Sequence, residues 1–334
     1  MKKYTTIFTI IFIFLASISF GQNRWRVNNN VGVNADFSEL QAAIDSASAG
    51  DIIYIENSGI PYEGNTNVDK QLTILGPGYF LATNDSTQAN KAPATVTYLY
   101  FQPGSDGSVL MGVRILQDLV VNASNVIIAR NHIQEMTVAQ SYDCGNIIIQ
   151  QNYFGGPITD GNHYYTAIIR NNIINSYVSM SHFGSLQFHN NSIMASTSNY
   201  LVLLENSSIK NNIVFNTHGS YQRCIDPDPD HNNTIAYNVS NQETDPGFTD
   251  NIWEAVPQDV IQYTGGPETK FYLTGGSPAI GYGQYGVDCG AFGADAPYVL
   301  SGLPPIPHIF ETNIPVSGTS NSGLPVNVKI KSQN

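Results

Sequence analysis

Ile169-Arg170-Asn171-Asn172-Ile173-Ile174 decides the reading of this 334-residue chain, because its pattern, apolar-x-x-Asn-x-apolar, returns on both sides of it. The other copies span residues 128–133, 149–154, 188–193, 209–214 and 235–240, where Ser240 is the one polar exception at the last position. Their asparagines are Asn131, Asn152, Asn172, Asn191, Asn212 and Asn238, separated by 21, 20, 19, 21 and 26 residues. A period near twenty in β-forming residues belongs to a coil of short strands that stacks on its neighbours, so the expected fold is an all-β solenoid. At each bend the chain needs a residue that tolerates left-handed or bridge dihedrals, and Asn does so while its amide reaches the Asn one coil away. The six asparagines are therefore expected to form a buried ladder. Three residues before each Asn, Ile128, Ile149, Ile169, Phe188, Ile209 and Ile235 should face inward as a stacked column, as should the residues two after it.

Outward from the repeats, residues 1–21 have the form of an export signal: Lys2 and Lys3, an apolar run over 7–16, then Ser19 and Gly21 before Gln22. The run is too short to span a bilayer, and no cysteine follows to take a lipid, so a secreted or periplasmic product without membrane insertion is expected. The chain carries a formal charge of -12, which becomes -14 once Lys2 and Lys3 are removed, and this argues against nucleic acid as a partner. The acid is concentrated: residues 226–268 hold nine Asp or Glu and no Lys or Arg, whereas 119–225 hold four of each sign. Cys144, Cys224 and Cys289 are odd in number, which leaves at least one thiol unpaired, and buried small hydrophobes are the favoured reading.

Upstream, a short strand over 24–27 precedes Ser38-Glu39-Leu40-Gln41, a capping box, with Leu40, Ala43, Ile44 and Ala47 on one face of a short helix suited to cover the first coil. There follow Gly50-Asp51-Ile52-Ile53-Tyr54-Ile55, Pro61-Tyr62-Glu63 and Asp69-Lys70-Gln71-Leu72-Thr73-Ile74-Leu75-Gly76. This order of helix, Gly-Asp turn, alternating strand, Tyr-Glu pair and Lys-x-Leu-x-Ile-x-Gly strand resembles the opening of right-handed parallel β-helix proteins of the pectate-lyase-like superfamily. The repeated phrase resembles theirs. Ser277-Pro278-Ala279-Ile280 with Asp288-Cys289-Gly290-Ala291-Phe292-Gly293 is similar to the segment with which many bacterial members close the helix. The resemblance covers about residues 36–293 and implies a right-handed parallel β-helix over 22–295, with 22–50 as its cap. Because that superfamily includes lyases, hydrolases, epimerases and adhesins, the resemblance does not name an activity. Beyond it, 296–334 reads as a Pro-rich linker and a β-hairpin tail, similar to tails of exported Bacteroidetes-type proteins.

Glycoside hydrolysis needs two facing carboxyl groups. The acids Glu135, Asp143, Asp160 and Glu205 fall 17, 9, 12 and 7 residues before the next ladder Asn, so no two of them are expected in one column. The Asn-Thr-Asp, Asp-Asp, Gly-His-Gly and Arg-x-Lys group of polygalacturonase-like hydrolases is absent. A β-eliminating lyase needs a base and a cation, and Arg170, His189 and Lys210 occupy one phrase position in consecutive coils, two before the ladder Asn. They should stack outward about 4.8 Å apart, as catalytic or ligand-binding candidates, although Ala129, Gln150 and Ala236 complete the column without chemistry and the Arg-x-Pro-x-x-Arg lyase pattern is missing. Asp226-Pro227-Asp228-Pro229-Asp230-His231 could wrap a hard cation such as Ca²⁺ through Asp226, Asp228 and Asp230, with a solvated acidic loop as the plainer alternative. Tyr153, Tyr164, Tyr165, Tyr177, Phe183 and Tyr200 fall on or near successive side loops, where exposed rings would stack on sugars, with Tyr164 and Tyr165 the chosen ligand candidates.

These features favour a monomeric exported protein presenting an elongated face to a polysaccharide or cell-surface partner, without catalysis and without an obligatory cofactor. The alternatives are a polysaccharide lyase acting on acidic glycans and a purely structural, adhesin-like scaffold.

Overall fold

The computed structural model describes residues 21–334 except 182–183, 220–222, 244–246, 249, 318–322 and 333–334. The export signal expected over 1–21 therefore lies, Gly21 apart, outside the described residues. The chain forms a parallel β-solenoid of about 8 turns. One sheet has ten strands, taken in chain order from Arg24–Val27 and Ile52–Ile55 through Thr73–Leu75, Val109–Met111, Ile127–Ala129, Cys144–Gln150, Tyr165–Arg170, Gly184–His189 and Ser208–Lys210 to Thr234–Ala236. The other has twelve strands and begins with four long ones, Tyr62–Val68, Thr95–Phe101, Arg114–Val121 and His132–Val138. From the next coil onward the long strand divides, as into Tyr153–Phe154 and Ile158–Asp160, where Gly155, Gly156 and Pro157 interrupt the ladder of backbone bonds.

The asparagine ladder forms as expected. All six are fully buried, and each backbone N–H from Asn131 to Asn212 donates to the Oδ1 of the next rung at 2.8–3.1 Å. Each Nδ2 also reaches the next Oδ1, at 2.9–3.2 Å. The ladder has one more rung, Asn251, which takes the Asn238 N–H at 2.9 Å and its Nδ2 at 3.0 Å. Phe248-Thr249-Asp250-Asn251-Ile252-Trp253 carries the same phrase only 13 residues after Asn238, a spacing too short for the period. The inward columns are aliphatic and sealed, with Ile128, Ile149, Ile169, Phe188 and Ile209 fully buried. Each such side chain contributes roughly 1.5–3 kcal/mol of apolar burial.

The bend corrects one expectation. The left-handed residue is not the ladder Asn but the one before it: Arg130, Gln151, Asn171, Asn190, Asn211 and Tyr237 have φ of 57°, 57°, 53°, 55°, 58° and 61°. The ladder Asn needs its backbone N–H and amide aimed along the stack, so the turn is made one position earlier, often by the first Asn of a doublet.

Those same bend residues hold a return segment. After the last coil the chain runs back along the outside of the bends toward the first coil. Asn211 Oδ1 accepts the Gln284 N–H, Asn190 Nδ2 donates to Asp288 O, Asn171 Nδ2 to Gly293 O, Gln151 Nε2 to Pro297 O and Arg130 Nη1 to Leu303 O, all at 2.7–3.0 Å. Residues 277–293, expected to close the end of the stack, thus flank it as a strap. Glu268 fastens the strap further: it is 1% exposed, and its carboxylate accepts from Tyr298 Oη, the Ser301 N–H and Asn84 Nδ2 at 2.7, 2.8 and 2.6 Å.

At the first coil, helix Leu40–Ser46 lays Leu40, Ala43 and Ile44 on the solenoid. The capping box does not form, because Glu39 is the N-cap and makes no side-chain cap bond, while Gln41 bonds instead to the backbone of Asn67 in the long strand beside it. Strands Pro307–Asn313 and Asn327–Ser332 make the antiparallel hairpin, which Ala89 N–H ties to the body by a 2.8 Å bond to Ile309 O. Cys144, Cys224 and Cys289 are free and buried.

Candidate functional site

Because strand residues alternate in and out, the register of the twelve-stranded sheet determines what its outer face displays. One column on the side opposite the core runs Asn67, Tyr100, Val120, Thr137, Thr159, Ser179 and Leu203 through successive coils, all of them at least partly exposed except Val120, which is buried. Beside it Asn65 pairs with Tyr98 and Asp118 with Glu135. Tyr98 and Asp118 each stand one residue before the paired Leu99 and Leu119, so all four belong to one second column. The rings of Tyr98 and Tyr100 are stacked, 15° from parallel with centroids 6.4 Å apart. Burial, and after it the Asp118 carboxylate, raises the pKa of the Tyr100 hydroxyl. In the middle of the face the Thr137 and Thr159 hydroxyls lie 3.3 Å apart.

At the far end of the face lies a cavity of about 360 Å³ lined by Tyr177, Ser179, Thr197, Asn199, Tyr200, Leu203 and Arg223. The Arg223 guanidinium sits 5.7 Å from the centroid of the Tyr200 ring. Aromatic rings thus stand at both ends of an outer face whose centre carries hydroxyls and two carboxylates. A sugar polymer uses such a surface through ring faces for its C–H groups and polar groups for its hydroxyls.

The pairing of Asp118 with Glu135 escaped the sequence reading because Asp118 lies just before the first repeat and a bulge between Ile115 and Asp118 shifts the register. Counting back from the ladder could not place it. Tyr177 and Tyr200 were among the loop tyrosines and do line the cavity. Tyr164 is 53% exposed in the connection just before strand Tyr165–Arg170 and belongs to neither outward column. Tyr165, the other ligand candidate, is corrected: it is fully buried, its hydroxyl donates to Asp160 Oδ2 at 2.9 Å, and its ring fills the space left by Gly184 in the next strand. As the first residue of an alternating strand it points inward, so no sugar reaches it. Tyr153 packs half-buried against Phe80 and His132, and Phe183 lies outside the described residues.

Arg170, His189 and Lys210 are brought together as the repeat implies, paired in register in consecutive strands of the ten-stranded sheet. All three are partly buried and engaged. Arg170 Nε donates to Gln150 Oε1 at 2.9 Å, His189 Nε2 lies 3.0 Å from Ser208 Oγ, and Lys210 Nζ is 3.5 Å from Gln284 Oε1 in the strap. Burial, with Lys210 second, pushes the His189 imidazole down to about 4, which leaves it neutral at neutral pH.

The acidic loop is corrected too. Asp226 Oδ1 accepts the Asp228 N–H and Asp228 Oδ1 the Asp230 N–H, at 3.3 and 3.0 Å, while Asp226 Oδ2 lies 3.1 Å from His231 Nδ1. The carboxylates of Asp226 and Asp228 thus cap their own backbone in successive turns rather than converging. Among the described residues no group of three or more His, Cys, Asp or Glu side chains could hold a metal ion, Asp226, Asp228 and Asp230 included.

No family model matches this chain, and no curated protein resembles it at a significant level.

Proposed function

We propose that this chain is an exported right-handed parallel β-helix protein of the pectate-lyase-like superfamily, and that it binds polysaccharide along the outer face of its twelve-stranded sheet. One observation carries the reading: a register-aligned outward column runs from Tyr100, beside Tyr98, to Ser179 and Leu203, which line the cavity together with Tyr177 and Tyr200. Support for export comes from Lys2, Lys3 and the apolar run after them. Support for binding without turnover comes from the engaged state of the Arg170, His189 and Lys210 side chains.

The test is a quantitative glycan panel with the mature protein and two variants, Tyr98→Ala and Tyr177→Ala. A stacked ring is worth about 0.5–1.5 kcal/mol beyond its area, so each variant should lose roughly threefold to tenfold in affinity for the glycan that binds. Equal affinity of both variants and the parent would overturn the placement. Appearance of unsaturated, ultraviolet-absorbing sugar ends, lost on Lys210→Ala, would replace this reading with the lyase one. That alternative keeps one favourable observation, the in-register alignment of Arg170, His189 and Lys210.

A further inference from the structure

The outer face is not neutral along its length. In the two outward columns the only charged side chains are Asp118 and Glu135, one coil apart and directly paired. Like charges placed directly opposite in a sheet destabilise it, and no basic residue in either column offsets this pair. Immediately beside them, in the preceding coil, stand the parallel rings of Tyr98 and Tyr100, stacked with centroids 6.4 Å apart. The faces of tyrosine rings are electron-rich and attract cations, most strongly where water is partly excluded. Two tyrosine faces and two carboxylates on one patch therefore select for positive charge and against a polyanion.

We propose that this half of the face binds a glycan bearing free amino groups, a polymer of aminosugars, with Tyr98 and Tyr100 taking ring faces and Asp118 and Glu135 pairing with ammonium groups. The inference rests on the carbohydrate-binding reading above and adds the class of sugar. It does not extend to a uronate polymer, whose carboxylates would face Asp118 and Glu135 at close range.

The experiment compares, by titration calorimetry on the mature protein, a glucosamine oligomer, its fully N-acetylated counterpart and an oligogalacturonate of equal length. The amino oligomer should bind, and N-acetylation should weaken it by about tenfold, the size of one well-placed charge pair. The double variant Asp118→Asn, Glu135→Gln should remove that preference and leave the circular dichroism unchanged, while affinity of the parent for the amino oligomer should fall as salt is raised. Equal binding of the amino and N-acetylated oligomers, or an unchanged preference in the double variant, overturns the proposal. If a neutral oligomer binds and Tyr98→Ala weakens it without regard to amino groups, the glycan-face reading stands and the aminosugar inference fails. Binding of none of these or of any other glycan defeats both.

Discussion

Replacing Asn191 by Ala should destabilise the solenoid by several kcal/mol, and the size follows from its bonds. Asn191 is fully buried; its Oδ1 accepts the Asn172 N–H and Nδ2 at 3.1 and 3.0 Å. Its Nδ2 donates to Ile169 O, His189 O and Asn212 Oδ1 at 3.0, 3.1 and 3.0 Å. Some partners recover: Asn172 Nδ2 keeps the carbonyls of Ile149 and Arg170, and Asn212 Oδ1 keeps the Asn191 N–H. The Asn172 N–H loses its acceptor, and an orphaned buried donor costs about 1–3 kcal/mol. The two N–H groups of the Asn191 amide, shared among its three acceptors, add about 0.5–1.5 kcal/mol each. The expected loss is thus about 2–6 kcal/mol, a large part of the ~5–15 kcal/mol that holds a domain folded. Equilibrium urea unfolding followed by far-ultraviolet circular dichroism measures it. A reduced slope with denaturant would add that the coils on either side of the break unfold separately, as a one-dimensional stack allows. Asn65→Ala, an exposed change, should stay within about 0.5 kcal/mol of the parent. If Asn191→Ala and Asn65→Ala behave alike, the ladder is not what holds the bends.

Three further outcomes are expected. Burial drives the Asp51 carboxyl up, but bonds from Ser48 N–H, Trp25 Nε1 and Asn23 N–H outweigh it and its pKa is lowered. Its contribution to stability is therefore present above the unfolded value of about 3.9 and lost as pH falls through the lower folded one, and Asp51→Asn should flatten the stability-pH curve between about pH 5 and 2. Gly184→Ala would drive a methyl group into the Tyr165 ring and should lower the melting temperature markedly, with much of the loss returned by adding Tyr165→Leu; full stability of the single variant would count against the packing described. Burial pushes the Cys144 thiol up to about 11 and those of Cys224 and Cys289 up to about 12, so a thiol reagent at neutral pH should label the native protein only at its opening rate and find three thiols in denaturant.

The repeat made the architecture legible because each coil must present the same amide and the same aliphatic side chain at one place, which leaves a period in the sequence. Asn131 through Asn238 and the columns around them could be read off directly. Asn251 could not, since the last coil is shortened to 13 residues. The strap was hidden for another reason: the bonds from Asn171, Asn190 and Asn211 reach residues 73–122 positions away, and only the doubled asparagines hinted that the first of each pair had its own task. The outer face was the least legible part. Its columns depend on bulges at Asn65 and Asp118 that shift register by one residue, and a single-residue shift exchanges the inner and outer faces of a strand. Tyr165 shows the same difficulty at one position, where alternation sent inward a ring placed outside by its proximity to a loop.

A crystal structure of the mature protein with a bound oligosaccharide, chosen as the tightest binder from the glycan panel, tests the functional account most directly. The sugar chain should lie across the coils on the twelve-stranded sheet, with rings against Tyr98 and Tyr100 or in the cavity of Tyr177 and Tyr200. Density for the oligosaccharide over Arg170, His189 and Lys210 on the other sheet, with the tyrosine face bare, would contradict it.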